Sequence, residues 1–445
     1  MKNPLAIIGV VIALSELGFA TSYEDPSYLS PPSHQTNSCI HCESYVPLYQ
    51  PVAGCDTFVS IEALYWFARE RTFYYAIQGT QLPIGELLGY PTAQSSTPLF
   101  TILNQRGKSL GTTWSPGVRA EIGWGSDCND WDLELNWTYF HNQKTKSCSV
   151  PSFGFLQEGV DEFEVFPGPE QSAIFNPWAN QAPLVVLLDP AVANLGGTPA
   201  VYFQYVKANW RLTLNDISLS IGRTFSMRNG LTFRPYAGMR GAWTKTQFQT
   251  KSLLQRNVTF PGITQRYVNL ILRDRFIDRF WGVGVHLGIE PSWYFCSSWS
   301  IFGNFDAALI YGTARSKKKE YYRDRGSETI LHGALFTAFF ENYNRVAFKS
   351  SYSSMQPIFD LTLGLRFDQS FCSGRYHSEI DLAWEHHLWL ENNSRMQTAD
   401  GELQEFQAGA DPFSNLFVEG VSPRAQLVSS TLNYGGPILR VRFDF

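Results

Sequence analysis

The feature that most constrains this chain is alternation of apolar and polar residues at period two. It recurs in a sequence that, after Ala20, holds no apolar run approaching the ~18 residues of a membrane helix. Residues 130–140 show it most clearly. Trp131, Leu133, Leu135, Trp137 and Tyr139 fall on one face, and Asp130, Asp132, Glu134, Asn136 and Thr138 on the other. Residues 360–368 set Leu361, Leu363, Leu365 and Phe367 against Asp360, Thr362, Arg366 and Asp368. In residues 281–290 the apolar set is Trp281, Val283, Val285, Leu287 and Ile289, opposite Gly282, Gly284, His286, Gly288 and Glu290. Helical spacing would scatter these sets around an axis, whereas successive strand side chains point to opposite faces.

Further strands are expected over 56–67, 114–124, 210–224, 231–244, 299–312, 376–390 and 437–445. The apolar phase changes near Asn215-Asp216, which predicts a bulge there. Connections alternate strictly. Those around 126–129, 226–230, 296–298 and 373–375 are short, and those at 68–113, 141–209, 245–280, 313–356 and 391–436 are long. A sandwich spreads its loops over both ends. Tight turns at one end and long connections at the other predict a closed antiparallel transmembrane β-barrel with short periplasmic turns and long extracellular loops. Residues 73–77, 183–189 and 200–206 offer extra strands, so the expected number runs from about ten to sixteen.

Composition fits this reading. Aromatic residues make up 15% and charged residues 17%, yet the mean hydropathy is only -0.18. Disordered chains are charged and ring-poor, so disorder is excluded. With 35 basic and 40 acidic residues and a pI near 5.9, nothing supports nucleic-acid binding. A barrel averages a lipid face with a water face, and its rings gather in girdles at both interfaces.

Residues 1–20 read as a cleavable export signal. Lys2 opens it, a short apolar stretch follows, and Gly18-Phe19-Ala20 supplies small residues at the cleavage site. Residues 21–55 are then a periplasmic N-terminal segment and 56–445 the barrel. In an oxidising compartment, Cys39, Cys42, Cys55, Cys128, Cys296 and Cys372 are disulfide candidates, with Cys148 the seventh thiol. Cys39-Ile-His-Cys42 lacks a second pair for zinc, and a local disulfide is its plainer reading. The turn cysteines Cys128, Cys296 and Cys372 suit links between molecules or to the N-terminal segment, and the sequence leaves that choice open.

The chain ends on a strand in which Phe445, Phe443, Val441 and Leu439 share one face and Asp444, Arg442 and Arg440 the other. A terminal aromatic after alternating apolar residues resembles the signal read by the outer-membrane barrel-assembly machinery, with Phe445, Phe443 and Val441 as its anchors. Three segments extend the likeness: Glu62-Ala-Leu-Tyr-Trp-Phe-Ala68, residues 130–141, and Arg234-Pro-Tyr-Ala-Gly-Met-Arg-Gly-Ala-Trp243. With Phe445 they resemble the major outer-membrane porins of Legionella and of Chlamydia-related bacteria, over most of 56–445. The resemblance implies a pore-forming surface barrel, linked by disulfides into homo-oligomers and set among outer-membrane lipid and lipopolysaccharide.

The inward faces then carry function. Their acids include Glu62, Glu121, Asp130, Asp132, Glu134, Glu290, Asp306, Asp360, Asp368, Glu379, Asp381, Glu385 and Asp444, and their bases are Arg119, Arg211, Arg223, Arg234, Arg240, Arg366, Arg440 and Arg442. Charges facing one another across a lumen set pore selectivity, and the acidic excess predicts a preference for cations among small solutes or ions. No cofactor, metal or catalytic group is expected. In Glu385-His386-His387, the outer two share a face and His386 points away, so the three cannot converge. Gly282, Gly284 and Gly288 lack the strand-to-helix turn of a nucleotide loop and read as close strand packing. Lys317-Lys318-Lys319 reads as a solvated loop tip near acidic lipopolysaccharide. The expected function is passive diffusion of small hydrophilic solutes. The alternatives are a surface adhesin or structural barrel with a filled lumen, as near-eight-stranded barrels have, and an outer-membrane hydrolase, for which no triad is evident.

Overall fold

A strand with one face for lipid and one for water leaves its backbone edges unpaired unless the sheet closes on itself. In the computed structural model, the described residues are 57–70, 74–83, 100–126, 131–150, 171–178, 202–227, 230–260, 264–331, 335–371, 376–399 and 424–445. All belong to the unit Glu43–Phe445, and they contain no α-helix. The export signal, Cys39, Cys42, Cys55, Cys128, Cys372 and residues 183–189 lie outside them.

The strands in order are β1 (Thr57–Glu70), β2 (Tyr74–Pro83), β3 (Phe100–Ser109), β4 (Trp114–Ser126) and β5 (Trp131–Ser149). Next come β6 (Gln171–Phe175), β7 (Tyr202–Phe203), β8 (Tyr205–Arg223), β9 (Phe225–Ser226) and β10 (Leu231–Phe260). The last five are β11 (Thr264–Cys296), β12 (Trp299–Leu331), β13 (Leu335–Phe371), β14 (Tyr376–Ala399) and β15 (Arg424–Asp444). Ten of them, β1, β4, β5, β8 and β10 to β15, pair antiparallel around a ring, with the two-residue β9 lying on β10. The terminal strands seal it: Phe58 faces Asp444, and Thr57 and Phe445 exchange backbone hydrogen bonds of 3.2 and 3.0 Å. Ten is the low end of the expected strand number.

The outward belt suits hydrocarbon. Trp114, Tyr139, Trp243, Trp281, Tyr311 and Trp384 form one exposed aromatic girdle, and Trp124, Trp131, Trp293, Trp299 and Phe443 form the other. From Trp299 to Tyr311 along β12, a rise of ~3.3 Å per residue and a tilt of ~40° span ~30 Å, the thickness of a bilayer core. The expected glycine role also holds. A Cβ on Gly284 would strike the carbonyl oxygen of Leu309 and the backbone of Ile310, so this glycine lets β11 and β12 approach.

Above the outer girdle the barrel turns inside out. On β8, Ile217, Leu219 and Ile221 face outward and Asp216 and Ser220 inward; two residues higher, Leu212 and Leu214 are buried while Arg211 is exposed. Register with β10 is unbroken from Leu253↔Tyr205 to Tyr236↔Gly222. The bulge expected at Asn215-Asp216 is therefore absent. The apolar phase flips because the surroundings flip, from lipid outside to water outside, while the backbone alternation runs on. The same inversion places Leu270, Leu272, Phe276 and Phe280 of β11 inside and Arg273, Arg275 and Arg279 outside.

The long connections expected at 245–280 and 313–356 are thus largely strand, because β10 to β13 run 30, 33, 33 and 37 residues. This corrects the reading of Lys317-Lys318-Lys319 as a solvated tip. The triplet lies within β12, and Lys318 is 1% exposed, paired with Glu320 inside the barrel.

Candidate functional site

The inner face carries three storeys, and strand parity sets each. The lowest is a cavity of about 900 Å³ running upward from the short-turn rim. Fifteen of the charged residues expected to face the lumen line it: Glu62, Arg119, Glu121, Asp132, Glu134, Arg234, Arg240, Glu290, Asp306, Asp360, Arg366, Asp381, Glu385, Arg440 and Arg442, and so do Asp368, Glu379 and Asp444. Arg211 and Arg223, also expected inside, do not line it, and Arg211 is exposed because it lies above the inversion of the wall. They are not free in water; arginines clamp carboxylates from several strands.

Two networks result. In the lower one, Arg366 reaches Glu290 and Glu379 at 3.0 Å and Asp381 at 3.1 Å. Arg440 joins Glu379 and Asp381 at 2.5 Å, and Glu121 takes a hydrogen bond from Ser60 at 3.1 Å. Arg234 binds Asp132, Glu134 at 2.8 Å and Glu290 at 3.5 Å. At the rim Arg442 meets Asp444 at 2.7 Å.

The upper network crosses the barrel. Arg119 on β4 bridges Glu62 on β1 at 2.6 Å and Glu385 on β14 at 2.7 Å. The ring of His387 links Glu385 at 3.3 Å to Asp360 on β13 at 2.7 Å. Arg240 on β10 then holds Asp360 and Asp216 at 2.6 Å and Asp306 at 3.2 Å, and Asp306 meets His286 at 2.8 Å. The pair Glu385 and His387 shares a face, as parity requires, but its partners are Arg119 and Asp360. Among the described residues no cluster has metal-ligand geometry.

Directly above lies an aromatic layer. Trp66 is fully buried against His387 (ring centroids 4.8 Å apart), Phe140 and Tyr434 (5.4 Å each), with the Arg119 guanidinium 5.5 Å from its ring. The His387 ring stacks on Tyr434 at 4.5 Å. Leu214, Ile310, Ile358 and Trp389 complete a core with no exposed surface to speak of.

The top storey is a cap. The second sheet, ordered β3-β2-β6-β7, is docked on the barrel wall by residues of and just after β6. The Asn176 amide donates to Thr250 Oγ1 (3.2 Å), Ser252 Oγ (3.0 Å) and Asp274 Oδ2 (3.2 Å). Trp178 packs on Phe248 and Phe276 at 5.9 and 5.8 Å and donates its indole N–H to the Tyr74 carbonyl at 2.7 Å. Asp274 stands opposite Glu320 in register. Burial, and then the Glu320 charge beside it, push the Asp274 carboxyl up to about 8, although Lys318 pulls it down.

Sequence reasoning missed Asp216, because the phase flip hid its parity. It also missed Asp274, Lys318 and Glu320, which were assigned to loops. The signal was present: Leu270, Leu272, Asp274, Phe276, Asp278 and Phe280 keep period two without a break.

A closed ten-stranded barrel with two aromatic girdles and a charged interior defines a membrane-spanning β-barrel of the bacterial outer membrane. The chain belongs to the family described as Legionella pneumophila major outer membrane protein precursor, whose model matches residues 54–445. No curated protein matches it. Among solved structures, the outer membrane protease OmpT of Escherichia coli is similar at 8% identity and a TM-score of 0.33, over 91% of this chain and 99% of that one. The toluene transporter TbuX of Ralstonia pickettii is similar at 10% identity and a TM-score of 0.20, over 87% and 89%. A FadL homologue of Pseudomonas aeruginosa is similar at 6% identity and a TM-score of 0.22, over 88% and 90%.

Proposed function

We propose that this barrel is a porin-type channel for small hydrophilic solutes or ions, cation-preferring, and shut in the conformation described. The observation that carries the reading is the composition of the cavity: thirteen carboxylates line it against six guanidiniums and three imidazoles. Such an excess draws cations and repels anions. The aromatic layer and cap act as the gate, since a dry apolar constriction blocks ions without needing a covalent barrier.

The same layer favours a second reading, a structural or surface barrel whose lumen never opens, as narrow barrels with filled interiors allow. Purified protein in a planar bilayer under a salt gradient separates the two. Discrete steps with a reversal potential toward the cation equilibrium value support the channel; silence at all voltages supports the structural barrel. A hydrolase has no such support, because His387 is held between two carboxylates and no hydroxyl is hydrogen-bonded to it among the described residues.

Disulfide-linked homo-oligomers belong to the same proposal, with Cys296 at the end of β11 on the short-turn side as one contributor. Electrophoresis with and without reductant tests them. A single monomer band in both lanes would remove them from the account.

A further inference from the structure

Among the described residues, the outward wall above the outer girdle carries rows of basic side chains across β8 and β10 to β13. Its charges stand directly opposite one another across strands. Lys245, Arg279 and Arg315 form one row across β10, β11 and β12, two residues above Trp243 and Trp281. Lys317 faces Lys349, and Arg275 faces Lys319. Lys207, Lys251 and Arg273 form the highest row, across β8, β10 and β11.

Strand parity also shows what is missing. The outward positions of 207–215, 245–253, 271–279, 313–325 and 345–353 include no Asp or Glu. Among the acids of these segments, Asp274, Asp278 and Glu320 are buried inside. Lys317 is part-exposed on the outer face, and its ammonium is pushed down first of all by the neighbouring Lys319 charge. Like charges placed directly opposite in a sheet destabilise it. Six such pairings on one wall call for a counter-charge supplied from outside the chain.

We propose that this wall binds the phosphate groups of a phosphorylated saccharolipid of the outer leaflet, that is, lipopolysaccharide. Height selects this ligand over an ordinary phospholipid. At ~3.3 Å per residue and ~40° tilt, the first row stands ~5 Å above the girdle and the highest row ~20 Å above it. Headgroups of common phospholipids add only about 5–8 Å beyond each face of the hydrocarbon core. Only a lipid whose phosphates continue up an extended sugar head reaches every row. The wall also continues downward into Trp243, Val283, Val285 and Leu309, where acyl chains lie. Arginine suits such a site because its planar fork meets two phosphate oxygens at once.

The test uses refolded full-length protein in detergent, titrated with lipopolysaccharide, with the same lipid stripped of phosphate, and with phosphatidylglycerol. The variants are R279Q/R315Q/K317Q and, as an uncharged control on β5 outside the basic rows, Q143A. Heat-dependent electrophoretic mobility establishes that each is folded before binding is measured. Each basic residue near an anionic surface contributes about fivefold to affinity, so the triple variant should bind about 100-fold more weakly at low salt. Q143A should match the wild type, and raising the salt should weaken wild-type binding. Unchanged affinity in the triple variant, equal binding of the phosphate-free lipid, or equal binding of phosphatidylglycerol would each overturn the proposal. So would capture of heparin in place of the lipid, which would assign the wall to a soluble polyanion.

Discussion

Replacing Arg240 with Gln probes how far the upper network is desolvated. Arg240 contacts carboxylates from three other strands, Asp216 of β8, Asp306 of β12 and Asp360 of β13. Two of these hold the rings of His286 and His387 in turn. All four side chains are 8–13% exposed. Removing one partner of a buried charge pair costs about 3–5 kcal/mol, chiefly because the remaining charge is stranded. Water in the cavity below relieves part of this, so R240Q should destabilise the barrel by about 3 kcal/mol. Arg240→Lys keeps the charge but cannot fork to three acceptors, and should cost about 1–2 kcal/mol. Adding Asp216→Asn to R240Q should recover about 1 kcal/mol or more, since one stranded charge disappears with its partner.

The assay is urea unfolding of protein refolded into lipid vesicles, followed by tryptophan fluorescence, with the three variants compared at one pH. A loss below about 1 kcal/mol for R240Q would refute the reasoning, because it would place the carboxylates in the well-hydrated setting of surface pairs.

Three further outcomes are expected. Asp274 takes up a proton on folding, because its folded value of about 8 lies above its ordinary range. Its contribution is therefore full below about pH 4 and is lost as pH rises toward 8, so wild-type unfolding free energy should fall relative to D274N across that window; parallel pH curves would count against the cap anchor. Gly284→Ala should cost about 1–3 kcal/mol by pressing β11 away from β12, and an unchanged urea midpoint would show that the strands have slack there. Phe445→Ala keeps the backbone bonds to Thr57, so it should lower the amount inserted in cells while leaving refolded stability within about 1 kcal/mol; full insertion in cells would remove the assembly-signal role.

The lower half of the barrel was legible in the sequence because lipid outside and charge inside make opposite demands on alternate residues. Glu134 between Leu133 and Leu135 has one reading. The upper half was not, because solvent stands outside while both apolar and charged groups fill the interior. Lys317, Lys318 and Lys319 look identical in sequence, yet the middle one is buried against Glu320 and the outer two face away. The phase change at Asn215-Asp216 was seen, but a bulge and an inversion of surroundings give the same one-dimensional signature. Only cross-strand register separates them. The cap was out of reach altogether: Asn176 finds Thr250 and Asp274 across 74 and 98 residues of chain, and no local pattern encodes that meeting.

The central claim is a charged cavity continuous with the short-turn end and sealed from the outer end by the Trp66 layer and the cap. Site-directed thiol labelling tests it most directly. Glu134→Cys places a thiol on the cavity wall, and a membrane-impermeant cationic thiosulfonate is added to one side of oriented vesicles at a time. Labelling above the background of native thiols should appear when the reagent is on the short-turn side and be absent when it is on the outer side. Equal labelling from the outer side would show an open passage through the layer and contradict the account.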